Sequence, residues 1–301
     1  MTTSHVAGAP PSGRVGDLAR LLRPKQWIKN VLVLSAPGAA GVLTDPGDLA
    51  RTLVAFVAFC LAASGTYALN DAHDVDADRR HPTKRFRPVA SGAVSVASAR
   101  VLGITLVLAA VAVGAATGRW QLPATVAAYV ALTTSYTLVL KHIAVIDIAA
   151  VAGGFVLRAV AGAAATGVDV SEWFLIVASF GSLFMVSGKR SAEIDAGGDL
   201  AGQRAVLASY SPQFLLYVRS VASGVAVLAY CLWAFEEAGS SQAGVWFQLS
   251  IIPFVLAVLR YALRLSTGEG GAPEDIVIGD RTLQVLGVVW AALFAAGVHV
   301  A

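Results

Sequence analysis

Residues 49–78 read LARTLVAFVAFCLAASGTYALNDAHDVDAD, and the change of character inside that stretch decides the fold. From Thr52 to Leu69 no side chain is charged. That run approaches the ~20 apolar residues a helix needs to cross a bilayer. Asn70, Asp71, Asp74, Asp76 and Asp78 then follow within nine residues. Continuing the helix at ~100° per residue places Asp78 about −20° from Asp71, Asp74 about −60° and Asn70 about −100°, while Asp76 points away at about +140°. Three carboxylates and an amide on one face repel one another unless a cation sits among them. Hard, incompletely filled oxygen ligands describe a magnesium site that keeps waters and shares its ion with substrate phosphates. A solvated acidic loop is the plainer reading, but the boundary of an apolar span favours metal–diphosphate binding. Asn70, Asp71, Asp74 and Asp78 are therefore the expected metal ligands, and the three aspartates the expected catalytic carboxylates.

The rest of the chain agrees with a membrane setting. Of 301 residues, 56% are hydrophobic and only 14% charged, with a mean hydropathy of +0.69. A soluble domain carries about 25% charged residues. Nine apolar segments, roughly 27–43, 49–70, 97–117, 121–140, 144–166, 171–188, 212–235, 245–264 and 282–300, predict an all-α polytopic fold of nine transmembrane helices. The first, interrupted by Pro37 and glycines, reads as a broken helix lining a cavity. Residues 1–20 are polar and rich in Gly, Ala and Pro, and are expected to form a disordered cytoplasmic tail before a single membrane domain over 21–301. With the N-terminus inside, 18 of the 22 Lys and Arg residues fall on cytoplasmic connections and only Arg51 and Arg119 outside. That asymmetry sets the orientation. The long polar connections 71–96 and 189–211 follow the second and sixth spans, which hints at two related halves, 21–166 and 167–301. Cys60 and Cys231 lie in apolar runs, excluding a disulfide framework or a zinc site.

Basic residues surround the acidic stretch. In Arg79-Arg80-His81-Pro82-Thr83-Lys84-Arg85-Phe86-Arg87-Pro88, two prolines argue for a fixed loop. Lys84, Arg85 and Arg87 suit a polyphosphate ligand beside a metal. Inside-positive anchoring accounts for part of this run, above all Arg79 and Arg80. Lys189 and Glu193 are four apart, so they form either a helix-surface ion pair or, with Arg190, a second phosphate grip. Tyr136 and Lys141 come from the fourth connection, and Tyr136 alone would be ordinary interfacial decoration. Arg158 lies inside a span, ~16 Å above Asp147 on nearly the same helical face. At that depth it is either a hydrogen-bonding hub or a cavity-facing substrate ligand. Lys29 and Asn30 begin the first span and could point into the site; Arg260 and Arg264 read as anchors.

The motif Asn70-Asp71-x-x-Asp74-x-x-x-Asp78, at the cytoplasmic end of the second of nine helices, resembles the first motif of the UbiA-type intramembrane prenyltransferase superfamily. That resemblance implies Mg2+ and a diphosphate in a central cavity open to the cytoplasm. The second aspartate-rich motif of the aromatic-substrate members is replaced here by Lys189-Arg190-Ser191-Ala192-Glu193, with Asp195 and Asp199 later. Tyr136 and Lys141 are also one residue further apart than the superfamily's usual Tyr-x-x-x-Lys. Arg23-Pro24-Lys25-Gln26-Trp27-Ile28-Lys29-Asn30, His81–Pro88, Leu140-Lys141-His142, Asp147-Ile148, Pro273-Glu274-Asp275-Ile276 and Asp280-Arg281-x-Leu283-Gln284 are similar to the decaprenyl-phosphate phosphoribosyltransferase branch. The branch implies transfer of 5-phosphoribose from phosphoribosyl diphosphate to polyprenyl (decaprenyl) phosphate in cell-wall arabinan precursor synthesis, at the bacterial plasma membrane. It leaves Lys29, Lys84, Arg85, Arg87, Tyr136, Lys141, Arg158, Lys189, Arg190 and Glu193 to the two phosphorylated substrates, with Lys189 also a catalytic candidate. The alternatives are prenyl transfer to an aromatic or quinone precursor and lipid transport. No nucleic-acid partner is expected. Small-residue runs such as Ala159–Ala165 suit helix packing within one chain or in a homo-oligomer, a trimer if a number is chosen.

Overall fold

The computed structural model describes residues 13–195, 205–240, 244–267 and 273–300, and all regular structure among them is helical. Helix α1 (Arg14–Leu22) is followed by a 3-10 segment, Pro24–Leu34, and a short α2 (Ser35–Ala39). Then come α3 (Pro46–His73), α4 (Val75–Arg80), α5 (Val96–Ala115), α6 (Gln121–Leu138) and α7 (Ile146–Thr166). The second part holds α8 (Glu172–Asp195), α9 (Pro212–Ser240), α10 (Gly244–Ser266), α11 (Pro273–Gly279) and α12 (Arg281–Val300). Each of the nine apolar segments is helical. Six of the described helices, α3, α5, α7, α9, α10 and α12, are long and apolar enough to cross a membrane.

The first apolar segment departs most from an ordinary span. Eleven residues stay in the tighter 3-10 form, a length uncommon for that helix. Pro24 opens the segment and Pro37 sits in α2, so the backbone has lost two donors. The segment lies so close to α7 that a Cβ on Gly162 would collide with the Val33 carbonyl and the Pro37 ring. The run Ala159–Ala165 is mostly buried inside the chain, with Ala159, Ala161, Gly162, Ala163 and Ala165 covered. It serves packing within this chain.

The expected disordered tail needs correction where it is described. Residues 14–20 belong to α1, because Leu21 is fully buried against Ala68, Ala72 and Val89 and anchors the helix. Residues 1–12 lie outside the described residues, as do Asp199 and Arg204. Arg23 ends α1 in the left-handed conformation, φ 53° and ψ 58°, which turns the chain toward α3.

Packing falls into two groups of four, α3 with α5, α6 and α7, and α8 with α9, α10 and α12, joined where α7 meets α8. Where α3 crosses α5, Gly65 and Gly103 face each other; a Cβ on Gly103 would stand 2.9 Å from the Gly65 carbonyl. Phe59, Leu122, Val126 and Tyr129 fill the first core. In the second, Trp233, Phe247 and Phe294 pack together. Asp280 caps α12 by accepting from Leu283 N–H at 3.0 Å and pairs with Arg260 and Arg264, so these two arginines tie α10 to α12. Large apolar side chains face outward, including Ile104 and Leu108, Leu228 and Leu232, Ile252 and Leu256, Val285 and Val288. An apolar exterior over long helices whose backbone groups are satisfied internally defines a multi-pass membrane protein.

Candidate active site

Helix α3 runs out where its apolar residues do. Asp74 N–H still donates to Asn70 O at 2.9 Å, but the Asp74 backbone leaves the helical region at φ −88°, ψ 11°, and α4 restarts at Val75. The break redirects the aspartates. Asp71 is buried, and its Oδ1 accepts from Arg23 at 2.5 Å and Arg87 at 3.2 Å. Arg87 also donates to Asp78 Oδ2 at 2.8 Å. Asp74 turns elsewhere and accepts from Lys141 Nζ at 2.9 and 3.0 Å. Asn70 Oδ1 accepts from Thr137 Oγ1 at 2.9 Å. The expected single face of four oxygen ligands is thus divided, and among the described residues no three acidic, His or Cys side chains are gathered to hold a metal. The cause is electrostatic. Each carboxylate lowers its energy by taking an adjacent cation instead of facing another carboxylate.

The basic loop is shaped by His81. Its Nδ1 accepts from the backbone N–H of Thr83 at 3.2 Å and of Lys84 at 3.3 Å, closing the turn that presents the 3-10 segment Lys84–Phe86. Burial, then the nearby Lys84 charge, pushes the His81 imidazole below its ordinary value of 6.5, which keeps Nδ1 an acceptor. Arg85 is exposed, with its guanidinium 4.8 Å from the Phe86 ring centre. Arg87 reaches Asp71 and Asp78.

A second pole, of paired charges, forms at the ends of α6, α7 and α8. Arg190 is almost fully buried and donates to Asp147 Oδ2 at 3.0 Å, Glu193 Oε2 at 2.8 Å and the Tyr136 hydroxyl at 3.2 Å. Tyr210 donates its hydroxyl proton to Asp147 Oδ1 and accepts from Val145 N–H at 2.7 Å. Burial and the hydrogen bond to Asp147 push the Tyr210 phenol well above its ordinary range. Val145 holds φ 70°, ψ −45°, an unusual geometry for a β-branched residue. Lys189 Nζ lies 3.9 Å from Glu193, so the helix-surface ion pair is present.

Two expected substrate ligands are engaged elsewhere. Arg158 donates to Asn30 Oδ1 at 2.8 Å, Gly154 O at 2.8 Å and the Tyr129 hydroxyl at 2.7 Å, and lies over the Tyr129 ring. All three guanidinium nitrogens are used within the bundle, the arrangement expected of a hydrogen-bonding hub. Lys29 donates to Gln26 at 2.6 Å and pairs with Glu274 of α11 at 3.3 Å.

The end of α6 joins the two poles. Tyr136 reaches Arg190, its neighbour Thr137 reaches Asn70, and Lys141 just beyond reaches Asp74. Arg23, Thr137, Asp147 and Tyr210 thus complete the site without having been among its expected members. For Arg23 and Asp147 a charge beside a conspicuous motif was the available signal; Thr137 and Tyr210 offered none.

Residues 31–277 match the UbiA prenyltransferase family, and the chain belongs to that family. Within it, the chain is 45% identical over 298 residues to the decaprenyl-phosphate phosphoribosyltransferase of Corynebacterium glutamicum, covering 97% of this chain and 89% of the relative. It is 44% identical over 305 residues to the enzyme of the same name from Mycobacterium tuberculosis, covering 98% and 99%. A solved UbiA homologue from Archaeoglobus fulgidus, bound to GPP and Mg2+, shares the fold with a TM-score of 0.70 at 18% identity, covering 94% of this chain and 99% of that one.

Proposed function

We propose that this chain transfers the 5-phosphoribosyl group from phosphoribosyl diphosphate to polyprenyl (decaprenyl) phosphate and releases diphosphate. The observation that carries the reading is near-full-length likeness, at 44–45% identity, to proteins named decaprenyl-phosphate phosphoribosyltransferase. In the reaction the bond from the anomeric carbon to the diphosphate oxygen breaks, and a bond to an acceptor phosphate oxygen forms. The acceptor is already anionic near neutrality, so no general base is needed. The burden falls on holding two anions in line and neutralising the leaving group.

Asn70, Asp71, Asp74 and Asp78 are the residues that would hold Mg2+. Their donor chemistry fits: all four offer hard oxygens, and Asp71 Oδ2 is buried with no hydrogen-bond partner among the described residues. Bound there, the ion would supply charge to the departing diphosphate. Lys84, Arg85 and Arg87 face that donor, with Arg87 and Lys141 exchanging an aspartate for a phosphate oxygen as substrate arrives. Lys189 and the Tyr136–Arg190–Glu193 group at the second pole position the other phosphate. Nine membrane crossings with an inside N-terminus put both poles on the cytoplasmic side of a bacterial plasma membrane; the Lys and Arg distribution supports that orientation. The test is incubation of the purified full chain with Mg2+, phosphoribosyl diphosphate and polyprenyl phosphate, followed by lipid mass spectrometry. A phosphoribosylated lipid is expected. An unmodified lipid, or transfer of the prenyl chain to an aromatic acceptor instead, would overturn the reading.

A further inference from the structure

Helix α1 carries an apolar stripe that the bundle leaves uncovered. Val15, Leu18 and Leu22 lie within about 60° of one another around its axis. Val15 is 82% exposed and Leu18 41%. The helix itself is firmly held. On the neighbouring face Asp17 and Leu21 are buried, Leu21 against Ala68 and Ala72 of α3 and against Val89. Arg20 stands about 140–160° around the helix from all three stripe residues. Its guanidinium donates to the Phe86 carbonyl at 2.9 Å and lies 3.5 Å from Asp17.

Two anchors set the depth and the roll of this helix. At its C-terminal end the Leu22 carbonyl accepts from Ser64 Oγ at 2.8 Å. Ser64 lies five residues inside the uncharged run of α3 that ends at Leu69, hence about 7.5 Å below the end of that run. An amphipathic helix resting in a membrane surface buries its apolar face about 5–10 Å into the headgroup–acyl boundary. On its other side Arg20 holds Phe86, in the polar connection between α4 and α5. The water-facing side of α1 is therefore the one opposite the stripe. In sequence, the stripe is continued by Ile28, Val31 and Leu32, exposed apolar side chains of the Pro24–Leu34 segment. The chain's own N-terminal residues are poor material to cover it, since residues 1–12 include only Met1 and Val6 as large apolar side chains.

We propose that α1 is an in-plane membrane helix whose Val15, Leu18 and Leu22 enter the lipid surface of the leaflet at the α3 C-terminal end. Arg20 stays on the aqueous side and holds the connection that carries Lys84–Phe86. The leaflet thus supports that connection through α1. The surface stands on the geometry of α1 and does not depend on which group the chain transfers.

Nitroxide labels on V15C and L18C test it, with the full chain in nanodiscs of phosphatidylglycerol and phosphatidylethanolamine. Collision with oxygen, which concentrates in lipid, is compared with collision with a water-soluble nickel chelate. The parent, labelled alike, gives the background from Cys60 and Cys231. Oxygen collisions should exceed nickel collisions several-fold at both positions. Nickel collisions equal to or above those of oxygen would put the stripe in water and overturn the proposal. Shielding from both reagents would overturn it too, by putting protein on the stripe, either a second copy of the chain or residues 1–12. Both side chains are exposed, so both variants should keep the parent's thermal midpoint, and either label alone decides. The support of the connection is read separately. Leu18→Glu, in the same nanodiscs, should quicken amide exchange at Phe86 and Arg87 several-fold, and unchanged exchange would overturn the link between the leaflet and that connection.

Discussion

At the scale of single residues, Asp71 and Asp74 separate structural from chemical dependence. Asp71 is buried between two guanidiniums about a quarter exposed, whereas Asp74 and Lys141 both retain contact with solvent. Asp71→Asn leaves Arg23 without its carboxylate near the interior and Arg87 with Asp78 alone, and a loss of about 1–3 kcal/mol is expected after allowing for their exposure. Asp74→Asn should cost under about 1 kcal/mol. Both substitutions should abolish phosphoribosyl transfer; thermal melting in detergent and product formation distinguish the two effects, and near-normal turnover by Asp74→Asn would refute its assignment. His81 gives a pH dependence of definite sign. Its folded pKa lies below 6.5, so the turn's stability is full above that value and declines as pH falls through the folded pKa. Once Nδ1 is protonated it can no longer accept from Thr83 and Lys84. Amide exchange at those two residues, corrected for intrinsic rates, should quicken between pH 7.5 and pH 5.5, and His81→Ala should remove the change. The residues of the acidic cluster were legible because Asn70, Asp71, Asp74 and Asp78 are close in sequence. Their partners were not, since Arg23 is 48 positions from Asp71 and Lys141 is 67 from Asp74.

At the scale of elements, close helix contact and local strain act in opposite directions. Gly103→Ala places a Cβ 2.7 Å from Leu69 Cγ and 2.9 Å from the Gly65 carbonyl, and the backbone oxygen cannot rotate aside. Forcing α3 and α5 apart should cost about 1–3 kcal/mol, seen as a lower thermal midpoint. Val145 is the converse case. Its positive φ strains a β-branched side chain that is half exposed, so Val145→Gly relieves strain and loses little packing. A gain of about 1 kcal/mol is expected despite the entropy added to the unfolded chain, and a fall in the midpoint would show that the side chain holds the turn. Hydropathy located the helical segments, six of which among the described residues are long and apolar enough to cross a membrane, because burial in lipid demands length and apolarity. It carried no sign of the 3-10 winding of Pro24–Leu34, which depends on how closely that segment meets Gly162. Extending the α3 periodicity past His73 was sound for backbone hydrogen bonding but missed the turn at Asp74, where charge repulsion prevails over helix propagation.

At the scale of the whole molecule, the acidic pole is electrically balanced by its own protein: Asp71, Asp74 and Asp78 against Arg23, Arg87 and Lys141. A bare divalent cation must displace like charges to enter, whereas a cation accompanied by diphosphate offers those cations a replacement. Calorimetric titration should therefore give weak binding with Mg2+ alone and saturable binding with Mg2+ plus phosphoribosyl diphosphate. Tight binding of the metal by itself would show that the arginines yield unaided. Membrane character and family were legible across the whole chain, from composition and from motifs spread over it. The meeting of the poles depended on a helix end whose importance no local pattern announced. Because Tyr136 and Thr137 serve opposite poles from adjacent positions on α6, the spacing of their Cα atoms is set by one planar peptide link. Breathing of the bundle can widen or narrow the room around two reactants while these attachment points travel together, so α6 works as a gauge rod whose calibration is covalent.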